Sequence, residues 1–459
     1  MYNAMYNVLA LIIPLITTPY ISRVMGAENI GIYSYAYSIA SYFGLFILLG
    51  LKNYGNRTIA GVRDDRQKLS QTFCSIYAMQ LIMGVIVILI YTAYIILFAQ
   101  NRIMALVLMI YLVSVMLDIN WFYFGLEEFK LTVTRNTVIK IANTILLFVF
   151  VRSADDIYIY ALLLVMGMIV SQVILWGLLK RYIFFIRPSL SDIVKHIKPN
   201  LVLFIPVIAI SIYNTMDKIM LGMMSSMTEV GYYESSFKLT TIPVMAVTSL
   251  GTVMLPRMSN LIANGNHAEA KRYIQKSLIV SLFLSAPMAL GLSAVVNEFV
   301  PVFYGQGYEA CKAIIPVLVM SSIFVAWANV IRTQYLIPNK QDRIYIISVF
   351  LGAIVNVVIN YLLIPRYQAF GAGIGTLAAE MTVCLYQTFM VRKSIKVTKY
   401  FIQSLSFVVF AAVMYFILML IPDMYSPLMM LCAKVVIGGV VYMSLSYIYY
   451  KAILIRVFK

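Results

Sequence analysis

The strongest constraint on this chain is an alternation. Apolar runs of roughly 20 residues, the length of a helix that crosses a bilayer core, alternate with short polar joints from one end to the other. The pattern predicts fourteen helices, over 3–22, 31–51, 73–98, 103–125, 132–151, 157–179, 200–223, 232–256, 278–304, 312–336, 344–364, 371–391, 401–421 and 428–450. Composition agrees: 62% of residues are hydrophobic and 12% charged, about half the ~25% of a soluble domain. A soluble globular chain, a disordered chain and a disulfide scaffold are excluded, and the fold class expected is an all-α polytopic membrane protein. The run 3–22 lacks a basic flank and another span follows at once, so it does not read as a cleaved signal peptide. Cys74, Cys311, Cys384 and Cys432 are far apart and form no CxxC pair. They read as small apolar residues.

The net charge of +17 suggests a nucleic-acid partner until the charges are placed. With the amino terminus inside, 25 of the 35 Lys and Arg fall in inside joints and five in outside joints. The other five, Lys140, Lys218, Lys238, Arg332 and Lys434, lie within spans. Such asymmetry is the positive-inside signature. It predicts that both termini are cytoplasmic and assigns the charge to topology, with no nucleic acid. The outside joints are too short for a folded domain. The inside joints near 52–72, 180–199 and 257–277 are long enough for short surface helices, with Ile183 to Ile186 as an interfacial patch.

A weak internal repeat appears at an offset of 200. Gly31 and Tyr33 face Gly231 and Tyr233, Leu49-Gly50 answers Leu250-Gly251, and Pro14 and Pro206 each sit in the preceding helix. Two parallel six-helix lobes are expected, 1–199 and 200–399, followed by two C-terminal helices in 400–459. A central site between such halves is the design of some transporters.

Several chemistries are absent from the sequence. No GxxxxGK[ST] motif marks a P-loop. His196 and His267 have no ligand-spaced companions and read as solvated loop residues. Gly371, Gly373 and Gly375 follow no strand, so they fit close helix packing better than a nucleotide loop. The adjacent pairs Asp64-Asp65 and Glu127-Glu128 do not face each other on a helix. No cofactor is expected beyond a coupling proton or sodium ion, and no catalytic domain fits in the joints.

What remains is charge inside apolar spans, which costs about 2.5–3.5 kcal/mol per group near the bilayer centre on insertion scales. Asp118, Lys140, Asp217, Lys218, Glu234, Lys238, Arg332 and Glu380 are the candidates. Lys218 and Lys238 are the strongest for a basic cavity, which suits pyrophosphate through charge-assisted hydrogen bonds. Each candidate has a plainer alternative. Arg332 and Lys434 lie within snorkelling reach of a surface, Glu234 sits near an outer end, and Asp118 with Lys140 fits a structural salt bridge. Tyr33, Tyr35, Tyr37, Tyr232 and Tyr233 near the outer ends of two helices fit either an aromatic belt or sugar stacking.

Three segments resemble the Wzx-like polysaccharide-biosynthesis flippases of the multidrug/oligosaccharidyl-lipid/polysaccharide (MOP) superfamily. They are Pro19-Tyr20-Ile21-Ser22-Arg23-Val24-Met25-Gly26 with Gly31-Ile32-Tyr33, Asn214-Thr215-Met216-Asp217-Lys218 with Gly231-Tyr232-Tyr233, and Trp121-Phe122-Tyr123-Phe124-Gly125. The resemblance implies a MATE-like fold of two lobes that alternate access to a cavity. It further implies an undecaprenyl-pyrophosphate-linked oligosaccharide as substrate, moved across the bacterial cytoplasmic membrane for O-antigen or capsule synthesis, with polysaccharide polymerase and assembly proteins as partners. In related lipid II flippases the first helix carries deep arginines. Here Leu11 to Thr18 holds none, which argues against lipid II. In this frame Lys140, Lys218, Lys238 and Arg332 attract the substrate, and Asp118, Asp217, Glu234 and Glu380 pair with them or couple ions. The rivals are a multidrug or cation antiporter and a membrane polymerase or glycosyltransferase. If the orientation is right, green fluorescent protein fused after Lys459 will fluoresce and alkaline phosphatase fused there will be inactive. The opposite pair of results refutes it.

Overall fold

A computed structural model describes residues 2–422 and 425–451, with side chains for 12–212, 215–422 and 425–451. Among these residues every regular element is a helix. Lipid offers no hydrogen bonds to a bare peptide group, so each span must satisfy its backbone internally. Twelve helical segments are long and apolar enough to cross a membrane. Two of them bend at a residue with non-helical backbone. Tyr2–Leu48 turns at Gly26 (φ 72°, ψ 171°) and Asp342–Val391 turns at Gln368 (φ 50°, ψ −130°). The twelve segments therefore carry fourteen long arms. Only the first bend falls on glycine, where a positive φ is free of Cβ strain. At Gln368 the following amide, Ala369 N–H, donates to Glu229 Oε2 at 3.1 Å, so a side chain holds the second bend.

The chain divides into two compact units, Met1–Ile219 and Met220–Lys459. The expected lobe boundary at 199/200 lies one helix earlier. The structure carries most of Ile197–Met224 with the first unit because that helix packs there. The Tyr42 hydroxyl donates to Ser211 O at 3.1 Å, Phe46 and Phe204 meet edge to face, and Gly50 lies so close to Asn200 and Leu203 that a Cβ would stand 2.6 Å from Asn200 O.

The offset-200 repeat is visible in the helices themselves. The first long helix bends at Gly26; the corresponding chain breaks at Ser225–Ser226, between Ile197–Met224 and Met227–Ala263. Ser226 caps the second arm by accepting from Glu229 N–H at 3.3 Å. The downstream copies differ. Leu49 takes a positive φ and ends its helix, whereas Leu250-Gly251 lies inside a helix that runs on to Ala263.

Three expectations about joints and spans need correction. The stretch 257–277 is not a joint of that length with a surface helix of its own: Met227–Ala263 and His267–Ala294 run through it and meet at a turn of three residues, 264–266. The span expected at 103–125 is two helices, Arg102–Met116 and Asn120–Gly125. The interfacial patch is split, because Ile183 is buried in the aromatic core while Phe184 and Phe185 are exposed. Elsewhere, Asp65 caps Arg66–Leu97 by accepting from Gln67 N–H and Lys68 N–H at 3.0 and 3.1 Å. The Lys68 amide does most to hold its carboxyl below the usual carboxylate range.

The core of the first unit is aromatic. Phe73, Trp121, Phe122 and Tyr123 pack with Leu51, Ile59 and Leu175. Gly125 permits a close approach in it, since a Cβ there would stand 2.7 Å from Ile59 Cβ and 2.9 Å from Asn56 O. Gly125→Val should therefore destabilise the protein by about 1–3 kcal/mol through overpacking. A thermal midpoint in detergent equal to that of the unaltered protein would show that the approach is slack.

Candidate functional site

Each unit carries its own set of intramembrane charges. In the first, the break between Arg102–Met116 and Asn120–Gly125 is a polar knot. Gln80 Nε2 lies 3.2, 3.0 and 2.9 Å from the carbonyls of Val115, Met116 and Asp118, which it serves as donor. Trp176 Nε1 donates to Leu117 O at 2.9 Å, and Trp121 Nε1 to Gln80 Oε1 at 3.0 Å. The Asp118 carboxylate accepts from Asn120 N–H at 2.8 Å and from its amide at 2.6 Å. The cations acting on it are Lys52 and Arg135 rather than Lys140, so the expected Asp118–Lys140 bridge is not formed.

Arg135 is the functional-looking residue that the joint count misplaced. It was assigned to an inside joint but is buried within Phe129–Phe150. Its guanidinium donates to Asn120 Oδ1 at 2.9 Å, Asn136 Oδ1 at 2.8 Å and Ser171 O at 3.1 Å. Lys140, one turn further on, is half-buried. Asp217 is buried near Tyr42, whose hydroxyl feels its charge, while the neighbouring Lys218 is half-buried. Asn214 lies outside the described side chains.

The expectation that His196 is a solvated loop histidine is overturned. It is 5% exposed, and its Nδ1 stands 2.6 Å from the Tyr54 hydroxyl. The physical reason is that the joint 180–199 folds back on the unit. Ile183 enters the core, and the amides of Phe184 and Ile186 donate to Ser70 Oγ and Cys74 Sγ.

In the second unit Lys238 and Glu234 form the expected i,i+4 pair at 3.7 Å, with the lysine 41% exposed. Arg332 opens a π-helical turn, Arg332–Leu336, and is half-buried beside Tyr345, with its guanidinium 5.4 Å from the ring centre. Glu380 is half-buried. Lys434 does not snorkel. It is buried and forms an ion pair with Glu298, also buried. Glu298 was not singled out in the sequence, although a carboxylate inside an apolar run was itself the signal. Lys434 also lines an apolar cavity of about 530 Å³ with Phe283, Pro287, Met414 and Tyr442.

A family model described as "Polysaccharide biosynthesis protein" matches residues 1–262, more than half of the chain. The chain belongs to that family. A second family model, MatE, matches residues 203–362. This polysaccharide biosynthesis protein is 22% identical to a protein of Escherichia coli (strain K12) named as an O-antigen transporter, over 83% of this chain and 93% of the relative. It is 26% identical to "Lipid II flippase MurJ" of Bacillus subtilis (strain 168), over 34% of this chain and 29% of that one. Its fold is that of a solved structure of "Lipid II flippase MurJ, inward closed conformation", with TM-score 0.83, 15% identity, and 98% and 99% of the two chains covered. An inward-facing MATE transporter of the MOP superfamily follows with TM-score 0.61, 12% identity, and 84% and 98% covered. The expected all-α, MATE-like fold is thereby established.

The Lys434–Glu298 pair gives a direct test. Breaking a buried ion pair strands the remaining charge, so Lys434→Met alone should cost about 3–5 kcal/mol. Lys434→Met combined with Glu298→Leu should recover most of it, read as thermal midpoints in detergent. A double variant no more stable than the single one would mean that the pair is not the source of the loss.

Proposed function

We propose that this protein is a flippase that carries undecaprenyl-pyrophosphate-linked oligosaccharide repeat units across the bacterial cytoplasmic membrane for surface polysaccharide synthesis. The observation that carries the reading is the near full-length match to a protein named as an O-antigen transporter, together with the family model. The intramembrane charges support it. Burying a charge in an apolar span needs a partner or a wet cavity, and each unit keeps at least one lysine partly open: Lys140 and Lys218 in the first, Lys238 in the second.

In this reading the lysines and Arg332 receive pyrophosphate oxygens. Asp217, Glu234 and Glu380 hold those cations in the empty state, and they or Asp118 carry a coupling proton or sodium ion. Alternating access moves the headgroup while the prenyl chain stays in lipid. Both termini lie in the cytoplasm, and polymerase and assembly proteins take the product. Leu11 to Thr18 still offers no arginine to a lipid II headgroup, so an oligosaccharide repeat unit is the better substrate.

The MatE match over 203–362 favours one other reading, a drug or cation antiporter. That function predicts dye efflux from cells expressing the protein, and no movement of lipid-linked sugar. In proteoliposomes with fluorescent lipid-linked oligosaccharide, Lys218→Ala with Lys238→Ala should slow translocation at least 10-fold. Unchanged transport removes these lysines from the substrate path. Absence of transport by the unaltered protein, with dye efflux present, replaces the flippase with the antiporter.

A further inference from the structure

Three helices of the second unit share one end. His267–Ala294 and Val397–Met419 start there, and Pro427–Tyr449 finishes there. Gln275 Nε2 donates to Gln403 Oε1 at 2.7 Å and the Tyr449 hydroxyl donates to Gln403 O at 3.1 Å, so the three are tied at one level. Deeper in, the Tyr442 hydroxyl donates to Phe283 O at 2.8 Å. Between the two ties the helices leave a cavity of about 330 Å³, with Val280, Phe283, Phe407, Ser446, Tyr447 and Tyr450 in its lining. Its volume falls in the ~300–1,000 Å³ range of ligand pockets. Close-packed interiors hold few voids larger than a water, and here a hydrogen bond on either side fixes the walls.

One side of the cavity faces out of the unit, because Met443 and Tyr447, which also line it, are both 58% exposed. From Met443 to Tyr450 the lining covers roughly 10 Å at 1.5 Å per residue, less than half of a ~30 Å bilayer core. The cavity therefore opens sideways within one leaflet. Cations gather at its end. The segments 267–276, 392–399 and 449–451, which form that end of the three helices, hold eight Lys or Arg and one acid, Glu269. Two of the cations stand beside the cavity. Lys451 holds Nζ 5.0 Å from the centre of the Tyr447 ring. Lys276 lies one turn before Val280 on the same helix face. The Lys/Arg count predicts this end to be the cytoplasmic one.

We propose that this cavity binds an anionic phospholipid of the surrounding bilayer, with an acyl chain in the cavity and the phosphate at Lys276 and Lys451. Ammonium groups make charge-assisted hydrogen bonds to phosphate oxygens, and basic pockets between membrane helices on the cytoplasmic side hold anionic headgroups. Tyr447 and Tyr450 put an apolar ring and a polar tip where chain meets headgroup. A zwitterionic lipid brings the same chains but also a cation of its own, which the lysines repel. The substrate is a poorer occupant. Val397–Met419 and Pro427–Tyr449 lie beyond residues 1–362, which the two family models reach. The lysines proposed for pyrophosphate, Lys140, Lys218 and Lys238, stand within apolar spans of other helices. The inference goes beyond the flippase reading and does not require it.

The test measures how the whole purified chain, stripped of lipid in detergent, binds phosphatidylglycerol and phosphatidylcholine with the same acyl chains. The unaltered protein should bind phosphatidylglycerol about 10-fold more tightly. Lys276→Gln with Lys451→Gln should cut that preference to less than about 3-fold and leave phosphatidylcholine binding unchanged. If the double variant is unstable, Lys451→Gln, at an exposed position, replaces it with a partial loss expected. A photoreactive acyl chain on phosphatidylglycerol should label peptides that contain 279–283 and 443–450. Equal binding of the two lipids, a preference that survives the lysine changes, or labelling confined to other helices each overturns the proposal. Displacement of phosphatidylglycerol by equimolar undecaprenyl pyrophosphate overturns it too, and gives the cavity to the substrate.

Discussion

A peptide group in hydrocarbon has no water to bond, so a helix cannot stop or bend inside the membrane unless something else takes its free N–H and C=O groups. This chain breaks its helices repeatedly, and several of its polar residues stand at those breaks. Gln80 and Trp176 cover the carbonyls freed between Met116 and Asn120, and Asp118 takes the Asn120 amide. Glu229 takes the Ala369 amide just after Gln368. Ser226 caps the arm that begins at Met227. Polar side chains in apolar spans thus serve two ends, holding a broken backbone and meeting cargo, and contact geometry separates them.

That separation reorders the intramembrane charges. Arg135 and Glu229 hold structure, as does the buried Lys434–Glu298 pair. Lys140, Lys218 and Lys238 are less enclosed, and they are the cations proposed for pyrophosphate.

The helical architecture was legible because its signal is local. Hydrophobic run length and joint spacing need no tertiary information, and the joints expected after 22 and after 223 contain the bend at Gly26 and the break at Ser225–Ser226. Contacts were less legible. His196 looked solvated by its joint, yet Tyr54 lies 142 positions away and meets it. Lys434 looked free to snorkel, yet Glu298 is 136 positions earlier. Arg135 looked like a topology charge, yet two of its acceptors, Asn120 and Ser171, sit on other helices.

The sequence by itself determined that this is an all-helical membrane chain of the polysaccharide biosynthesis family, because hydropathy and motif spacing are properties of consecutive residues. Only the tertiary structure decided that Lys434 is matched by Glu298, His196 by Tyr54 and Arg135 by Asn120. A side chain's partner in lipid is whichever polar group the packing of distant helices brings within about 3 Å, and no one-dimensional pattern encodes that distance.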